Sequence, residues 1–480
     1  MTRTADFVFW GTVADEQCLE TPGDFHTVSG IACTDSFADN WKIPSVYMYN
    51  VKTDTYRSIA PADMAGADFD RLNRTVGLRS AGQKGGVVML AGFGTSLESV
   101  YLFSFNAETG DFLCSLEFDS SNDVRKFTQD DSHDLYVGVS RTDGSGDIFR
   151  FTGSLQDPCS FGLIANLPGD PAELTFYNEK LLVSTWVAST TLRDFSEASP
   201  PFMTLSPLVA DLMVSKHCFC FLEALEEAKA AGTAPEWHKV WGMESYEPDP
   251  VVAYSFGLSL CVVRDGWVYW GTLQYPYITV AMYASLYPDN KINRREAVLK
   301  SHRAMSLFRG RFLDTDHPEV EVLYGELVYP VYSPETNSWS VQPNKLDGDK
   351  LPKMGRGGFG NPYNFYLWSM NIVNDKLVIG TFDDYAITPL SYRVPLPPTE
   401  LGFRHPLMGA DLYVMELGDG GTIGAAEWLT LNGYENPTNF GMRNLIVNQF
   451  DPQDSTVFLG TANPYNVNPR GGWEVIKIDF

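Results

Sequence analysis

The chain is short of histidine, cysteine and basic residues and has no long apolar run, and each shortage removes a class of protein. Only 35 basic residues stand against 60 acidic ones, a formal net charge of −25. Such a surface repels phosphate backbones and anionic lipid headgroups, so neither nucleic acid nor a membrane is an expected partner. No apolar run approaches the ~18 residues that read as a membrane span. Met1 to Asp6 holds one basic residue, and Phe7 to Val13 is too short for the apolar region of a leader. Two localisations follow as expectations: cytoplasmic, or the secretory pathway with a leader removed. Seven cysteines are few for 480 residues, and an odd count leaves at least one thiol free. Cys18 and Cys33 share a loop rich in small and polar residues that would let them close a disulfide, whereas Cys218 and Cys220 are too close for an ordinary one. Asn73-Arg74-Thr75 is a formal glycosylation sequon.

Standard chemistry is missing as well. The sequence has no GxSxG elbow, no phosphate-binding P-loop, no HExxH and no GxGxxG opening a strand-to-helix unit. Its seven histidines (His26, His133, His217, His238, His302, His317, His405) show no metal-ligand spacing, which gives no support to a four-histidine iron centre like that of propeller-shaped carotenoid oxygenases. Asp143-Gly144-Ser145-Gly146-Asp147 lacks the ligand count of a calcium loop and reads as a hairpin turn. No metal and no cofactor is expected.

What the chain does have is a repeat. Seven short runs of β-branched, aromatic and other apolar residues end in a small-residue step: Phe7–Thr12, Val87–Thr95, Asp134–Val139, Lys180–Trp186, Gly266–Thr272, Lys376–Phe382 and Thr456–Ala462. Recurrence of this kind marks a repeat architecture. Around the sixth step a larger unit is visible: Leu367–Val373, the turn Asn374-Asp375, Lys376–Thr381, Leu412–Met415 and Ala425–Leu429. That is a four-stranded antiparallel meander with a tight hairpin between its first two strands, and such units set around an axis are propeller blades. The spacing predicts an all-β chain, a single β-propeller domain over residues 1–480, of seven four-stranded blades, with six or eight as alternatives. Uneven spacing (Gly94 to Gly138 is 44 residues, Gly271 to Gly380 is 109) is assigned to long loops at Ser196–Asp249, Pro276–Lys300, Asp314–Asn361 and Ala386–Gly409, with one short helix over Leu222–Ala231. The first blade lacks an obvious first strand and the last is one strand short. Pairing of the N- and C-terminal strands is therefore expected to close the ring.

In a propeller the loops entering the first strand and leaving the second open on one face, around the channel. That rule collects Arg141, Trp186, Gln274, Tyr275, Asp383, Asp384, Tyr385, Asn463, Tyr465 and Asn466 after the steps. Arg79, Arg125, Lys126, Tyr254, Tyr363, Asn364, Trp368, Asn439 and Arg443 come from on or before the first strands. Rings with a few placed donors suit an organic ligand that carries some oxygen atoms. Each group also has a structural reading: Trp186 and Trp368 as packing between blades, Arg79, Arg125 and Arg443 in ion pairs, Asp383 and Asp384 as turn caps.

The blocks Val240-Trp241 with Tyr246–Pro250, Tyr269–Thr272, Ser306–Arg311, Gly358–Asn361 and Gly471–Val475 resemble a family of microbial propeller proteins. Some fungal members of that family are similar to the hetero-Diels–Alderases of tropolonic sesquiterpenoid biosynthesis. The resemblance runs from Gly77 onward. It implies a cofactor-independent enzyme of secondary metabolism that dehydrates a hydroxymethyl tropolone to an o-quinone methide and guides its cycloaddition onto a humulene-type sesquiterpene. On that reading the substrate is a small apolar organic molecule and the protein a monomer or weak dimer. By predicted location, Arg443 and Arg79 are the anion-stabilising donors, Tyr254 a proton donor, and Trp186 and Trp368 walls. Gln274, Tyr275, Arg125, Asp383, Tyr363 and Asn463 complete the substrate rim. The rival readings are a non-catalytic glycan- or ligand-binding propeller and a polysaccharide lyase, in which an arginine neutralises a uronate.

Overall fold

All seven runs become β-strands, each the second strand of an antiparallel meander. The computed structural model describes residues 1–13, 42–96, 98–167, 169–186, 237–274, 276–346, 348, 351–383, 409–451, 453–463 and 472–480, and the backbone of 219–222. The first meander is Thr2–Arg3, Phe7–Gly11, Val46–Asn50 and Thr55–Ala60; the second is Ser80–Lys84, Val87–Phe93, Ser99–Asn106 and Phe112–Asp119. The third is Ser121–Gln129, Leu135–Arg141, Gly146–Phe151 and Phe161–Leu167; the fourth is Asp170–Tyr177, Lys180–Trp186, Phe219–Leu222 and Trp237–Trp241. The fifth is Phe256–Arg264, Trp267–Gln274, Leu307–Arg311 and Glu319–Tyr324; the sixth is Asn364–Val373, Lys376–Asp383, Leu412–Gly418 and Glu427–Thr430. The seventh has three described strands, Gly441–Ile446, Thr456–Ala462 and Val475–Asp479. The fold is an all-β propeller.

Local chemistry sets each meander. Four of the first hairpins turn through two residues with positive φ: Gly85-Gly86, Asn178-Glu179, Asp265-Gly266 and Asn374-Asp375. A turn with two left-handed residues matches the twist of the strands it joins, and Asn, Asp and Gly reach that conformation most easily. The small-residue steps have a packing cause. A Cβ at Gly11 would lie 2.4 Å from Leu78 Cβ, at Gly138 2.9 Å from Leu174 Cδ1, at Gly271 2.5 Å from Leu367 Cβ and at Gly380 2.6 Å from Met442 Cβ. At each of these positions the second strand of one meander meets the chain at or just before the first strand of the next. Ser184 fills the same role in the fourth, its hydroxyl donating to the Leu258 carbonyl at 3.3 Å.

Apolar layers lie between consecutive meanders. Phe9, Leu78, Leu90 and Phe103 pack between the first and second; Val87, Leu102, Val124 and Val137 between the second and third. Trp270, Phe256 and Leu182 pack between the fourth and fifth, Leu307, Leu367 and Ile379 between the fifth and sixth. A smaller layer of Val8, Trp10 and Phe458 joins the seventh meander to the first. The Arg3 side chain crosses the same seam to the Asp454 carboxylate and, at 3.2 Å, to the Thr456 carbonyl. Burial would raise the Asp454 carboxyl, but the Thr456 N–H, the Asn448 amide and Arg3 together hold it down at about 2.

Two expectations are corrected here. The first meander has its own first strand, Thr2–Arg3, which pairs with Phe7–Gly11, while the C-terminal strand pairs with Thr456–Ala462; among the described residues the two terminal strands do not pair. Side chains, not a shared sheet, join the ends. The described residues also contain four α-helices where one was expected elsewhere: α1 (Gly66–Asn73), α2 (Pro250–Tyr254), α3 (Pro276–Leu286) and α4 (Arg294–Ser301). Helix α3 is apolar all round its surface, so it carries no helical periodicity to read. The expected helix over Leu222–Ala231, apart from Leu222 at a strand end, lies outside the described residues, as do Cys18 and Cys33. A disulfide joins Cys114 and Cys159, tying the outer strand of the second meander to the third, and Cys261 is a buried free thiol.

Candidate functional site

The inner strands surround a cavity of about 440 Å³ on the axis. It is walled by Met1–Arg3, Arg79–Gln83, Arg125–Gln129, Glu173, Tyr366 with Trp368–Asn371, and Arg443–Val447. One end is cationic. Arg79 precedes its strand and directs its Nη1 at the Asp123 carboxylate, 3.2 Å and 3.3 Å from the two oxygens. Arg125 meets the same carboxylate through Nε at 2.9 Å. Burial acts to raise the Asp123 carboxyl, but Arg125, Arg79 and the Val124 N–H outweigh it and hold it below the ordinary carboxylate range. Aromatic faces fix the cations: Arg79 lies 4.5 Å from the Phe93 ring centre, Arg125 3.7 Å from Trp186 and Arg443 5.3 Å from Trp368. Lys126 completes the set, its Nζ 3.6 Å from Glu173. The opposite end is rich in amides, where Gln449 donates to Gln129 Oε1 at 2.9 Å and Gln129 donates to the Gln83 carbonyl at 2.8 Å.

Of the residues expected at the rim, Arg79, Arg125, Lys126, Arg443 and Trp368 line the cavity. Trp186 stands behind Arg125, with its Nε1 donating to the Leu258 carbonyl at 2.9 Å and its ring over Gly257, where a Cβ would come within 2.8 Å. Trp368 lies over Gly441 in the same manner. Trp186 is thus a positioning residue for the guanidinium.

The other described rim residues are not part of the cavity wall, and Asp384, Tyr385, Tyr465 and Asn466 lie outside the described residues. Tyr254 ends helix α2 and is buried in the layer between the fourth and fifth meanders, its phenol pushed up to about 12 by that burial. Asp249 accepts from the Val251 and Val252 N–H groups and Pro250 follows it, an N-cap with proline at the first helical position. That pair was the signal against reading Tyr254 as a strand residue facing the channel. Gln274 is buried, donating to Ser255 Oγ and Thr279 Oγ1. Asp383 accepts from Asn361 at 3.1 Å, and Asn463 donates to Thr438 Oγ1 and Asn439 Oδ1. Tyr363 is buried just ahead of its strand. These groups hold loops in place, as turn and cap residues do. Tyr275 lies outside the described residues.

Glu173, Tyr366 and the glutamines were missed because they lie along the inner strands, below the rim. Asp170–Tyr177 alternates well enough to be found as a strand from the Asn178-Glu179 turn that follows it, but Pro171 disguises its start. Among the described residues no three metal-ligating side chains come together, and no helix is long and apolar enough to cross a membrane.

Fold and cavity together define a β-propeller with a cation-lined axial channel. No family model matches the chain, and no curated protein matches it. Among solved structures it is similar to the β-propeller domain of the Trilobed protease from Pyrococcus furiosus, at 8% identity over 82% of this chain and 76% of that one, TM-score 0.31. It is also similar to a β-propeller domain from Myceliophteria thermophila, at 8% identity over 87% of both chains, TM-score 0.35.

Proposed function

We propose that the axial cavity of a seven-bladed ring is the active site of a small-molecule enzyme, and that its substrate is an organic anion with an apolar body. The observation that carries this reading is the gathering of Arg79, Arg125, Lys126 and Arg443 beside Trp368 in a protein whose net charge is strongly negative. A volume near 440 Å³ falls within the ~300–1,000 Å³ of ordinary ligand pockets. The expected apolar substrate is thereby amended: the wall favours a ligand with ionised or strongly polar oxygens at one end.

The reaction we assign is the one the family resemblance implies: loss of water from a hydroxymethyl tropolone, then hetero-Diels–Alder addition of the o-quinone methide to a humulene-type alkene. A tropolonate is an oxygen-rich anion on a flat apolar ring, which suits arginines mounted on aromatic faces. Fixed cations favour the ionised ring, whose oxygen then supplies the electrons that expel the hydroxyl. The cycloaddition then needs the two partners held in one near-attack geometry, which removes much of its entropic barrier. Incubation of the protein with hydroxymethyl tropolone and humulenol tests this: one stereoisomer in excess is expected, lost in Arg443→Ala with the fold intact. Racemic product formed equally with and without protein rejects it. Binding of oligouronate with release of unsaturated sugar would favour the lyase reading.

A further inference from the structure

Two carboxylates stand at the cationic end, and their surroundings drive them apart. Asp123 is saturated: two arginines and the Val124 N–H hold it as an anion. Glu173 is the sole carboxylate among the described residues lining the cavity. It sits where the register of Asp170–Tyr177 against Lys180–Trp186 shifts between Pro171 and Glu173, and such an irregularity re-aims a side chain. Its side chain is 13% exposed. Lys126 Nζ at 3.6 Å is an ion-pair partner but beyond hydrogen-bond reach, and Oε2 accepts no hydrogen bond. The charged or titratable groups facing Glu173 are Lys126 and Arg125 from the third meander and the buried Cys261 from the fifth. Burial outweighs both cations and raises its carboxyl above the ordinary range. A pair of carboxylates pushed in opposite directions divides the roles of fixed anion and proton carrier.

We infer that Glu173 is the proton donor of the channel, protonating the substrate's leaving hydroxyl, while Asp123 only positions Arg79 and Arg125. This rests on the function proposed above. In the step, the Glu173 carboxylic acid gives its proton to the hydroxymethyl oxygen. The carbon–oxygen bond breaks and its electron pair leaves with water. The ionised ring oxygen supplies electrons to form its carbonyl, and the ring forms the exocyclic carbon–carbon double bond. The proton released to solvent when the ring hydroxyl ionised then returns to the carboxylate, so no proton is consumed overall. Because the donor is the protonated form, turnover falls as pH rises through the Glu173 range.

Glu173→Gln keeps the shape and removes the proton. Its kcat is expected to fall at least ~100-fold with KM within about threefold, and the alkaline limb of the wild-type pH profile is expected to vanish. Glu173→Asp is expected to recover part of the rate and the limb. A Glu173→Gln variant that keeps kcat within about threefold, or that keeps the limb, overturns the assignment. If wild type turns over no hydroxymethyl tropolone, the proposed reaction fails on its own. The proton count on binding tropolone, from calorimetry in two buffers of different ionisation heat, then decides Glu173 separately. Greater proton uptake by wild type than by Glu173→Gln supports its role as proton carrier, and equal uptake overturns it.

Discussion

Two clusters of arginine and carboxylate are buried in this propeller, and they are built for opposite ends. Beside the fifth meander, Arg303 pairs with Glu247 through Nε at 2.8 Å and Nη2 at 3.1 Å, and its remaining donors go to the carbonyls of Lys300, His302 and Pro330. Glu247 also accepts from the Asp249 N–H, and Asp249 from the Tyr283 hydroxyl and the Tyr332 N–H. Every charge there is answered by a neighbour. At the channel, Arg79 and Arg125 share one carboxylate, Lys126 and Glu173 meet only at ion-pair distance, and Arg443 lies on a ring face at the cavity wall. A closed network spends its charge on packing loops and helices α2–α4 against the sheet. The channel cluster instead lines a cavity of a size that takes a ligand.

The difference can be broken experimentally. Arg303→Ala leaves Glu247 buried without its partner and is expected to cost about 3–5 kcal/mol of stability by denaturant unfolding, with unchanged tropolone affinity where the variant is folded. Arg443→Ala should do the reverse: stability within about 1 kcal/mol of wild type, and tropolone binding weakened about 10- to 100-fold in calorimetry, the value of a charge-assisted hydrogen bond. Asp123→Asn removes the shared anion, and an expected loss of about 1–3 kcal/mol of stability accompanies tighter anion binding by a few fold. The stabilisation from Asp123 is present above the unfolded aspartate pKa and is lost as pH falls through its depressed folded value, so the variant's deficit should shrink below about pH 4. Trp186→Phe keeps a ring under Arg125 but loses the bond to Leu258. About 1 kcal/mol of stability and less than about threefold in affinity are expected to go.

The same contrast explains what was legible beforehand. Strand identity was, because tight turns such as Asn374-Asp375 and steps such as Gly271 and Gly380 are fixed by local geometry and by the next meander's approach. The face of the channel was also legible, and with it Arg79, Arg125, Arg443 and Trp368. Depth was not. Gln274 and Asp383, at the ends of second strands, turn aside to Thr279 and Asn361, whereas the rim residues that line the cavity come from on or just before first strands, and nothing in residue type separates the two fates. Helices α3 and α4 were hidden in the connection between the second and third strands of the fifth meander, although Asn293, which accepts from the Glu296 N–H, is a readable cap. The closing seam escaped because a two-residue strand, Thr2–Arg3, is too short to show periodicity.

The central claim is that the channel cluster binds an organic anion. Its most direct test is calorimetric titration of tropolone at pH 8, where the ligand is ionised, into wild type and into a folded variant with Arg79, Arg125 and Arg443 replaced by glutamine. One site per chain in wild type, with affinity lost in the variant, is the predicted result. No binding to wild type, or equal affinity in both, would contradict it.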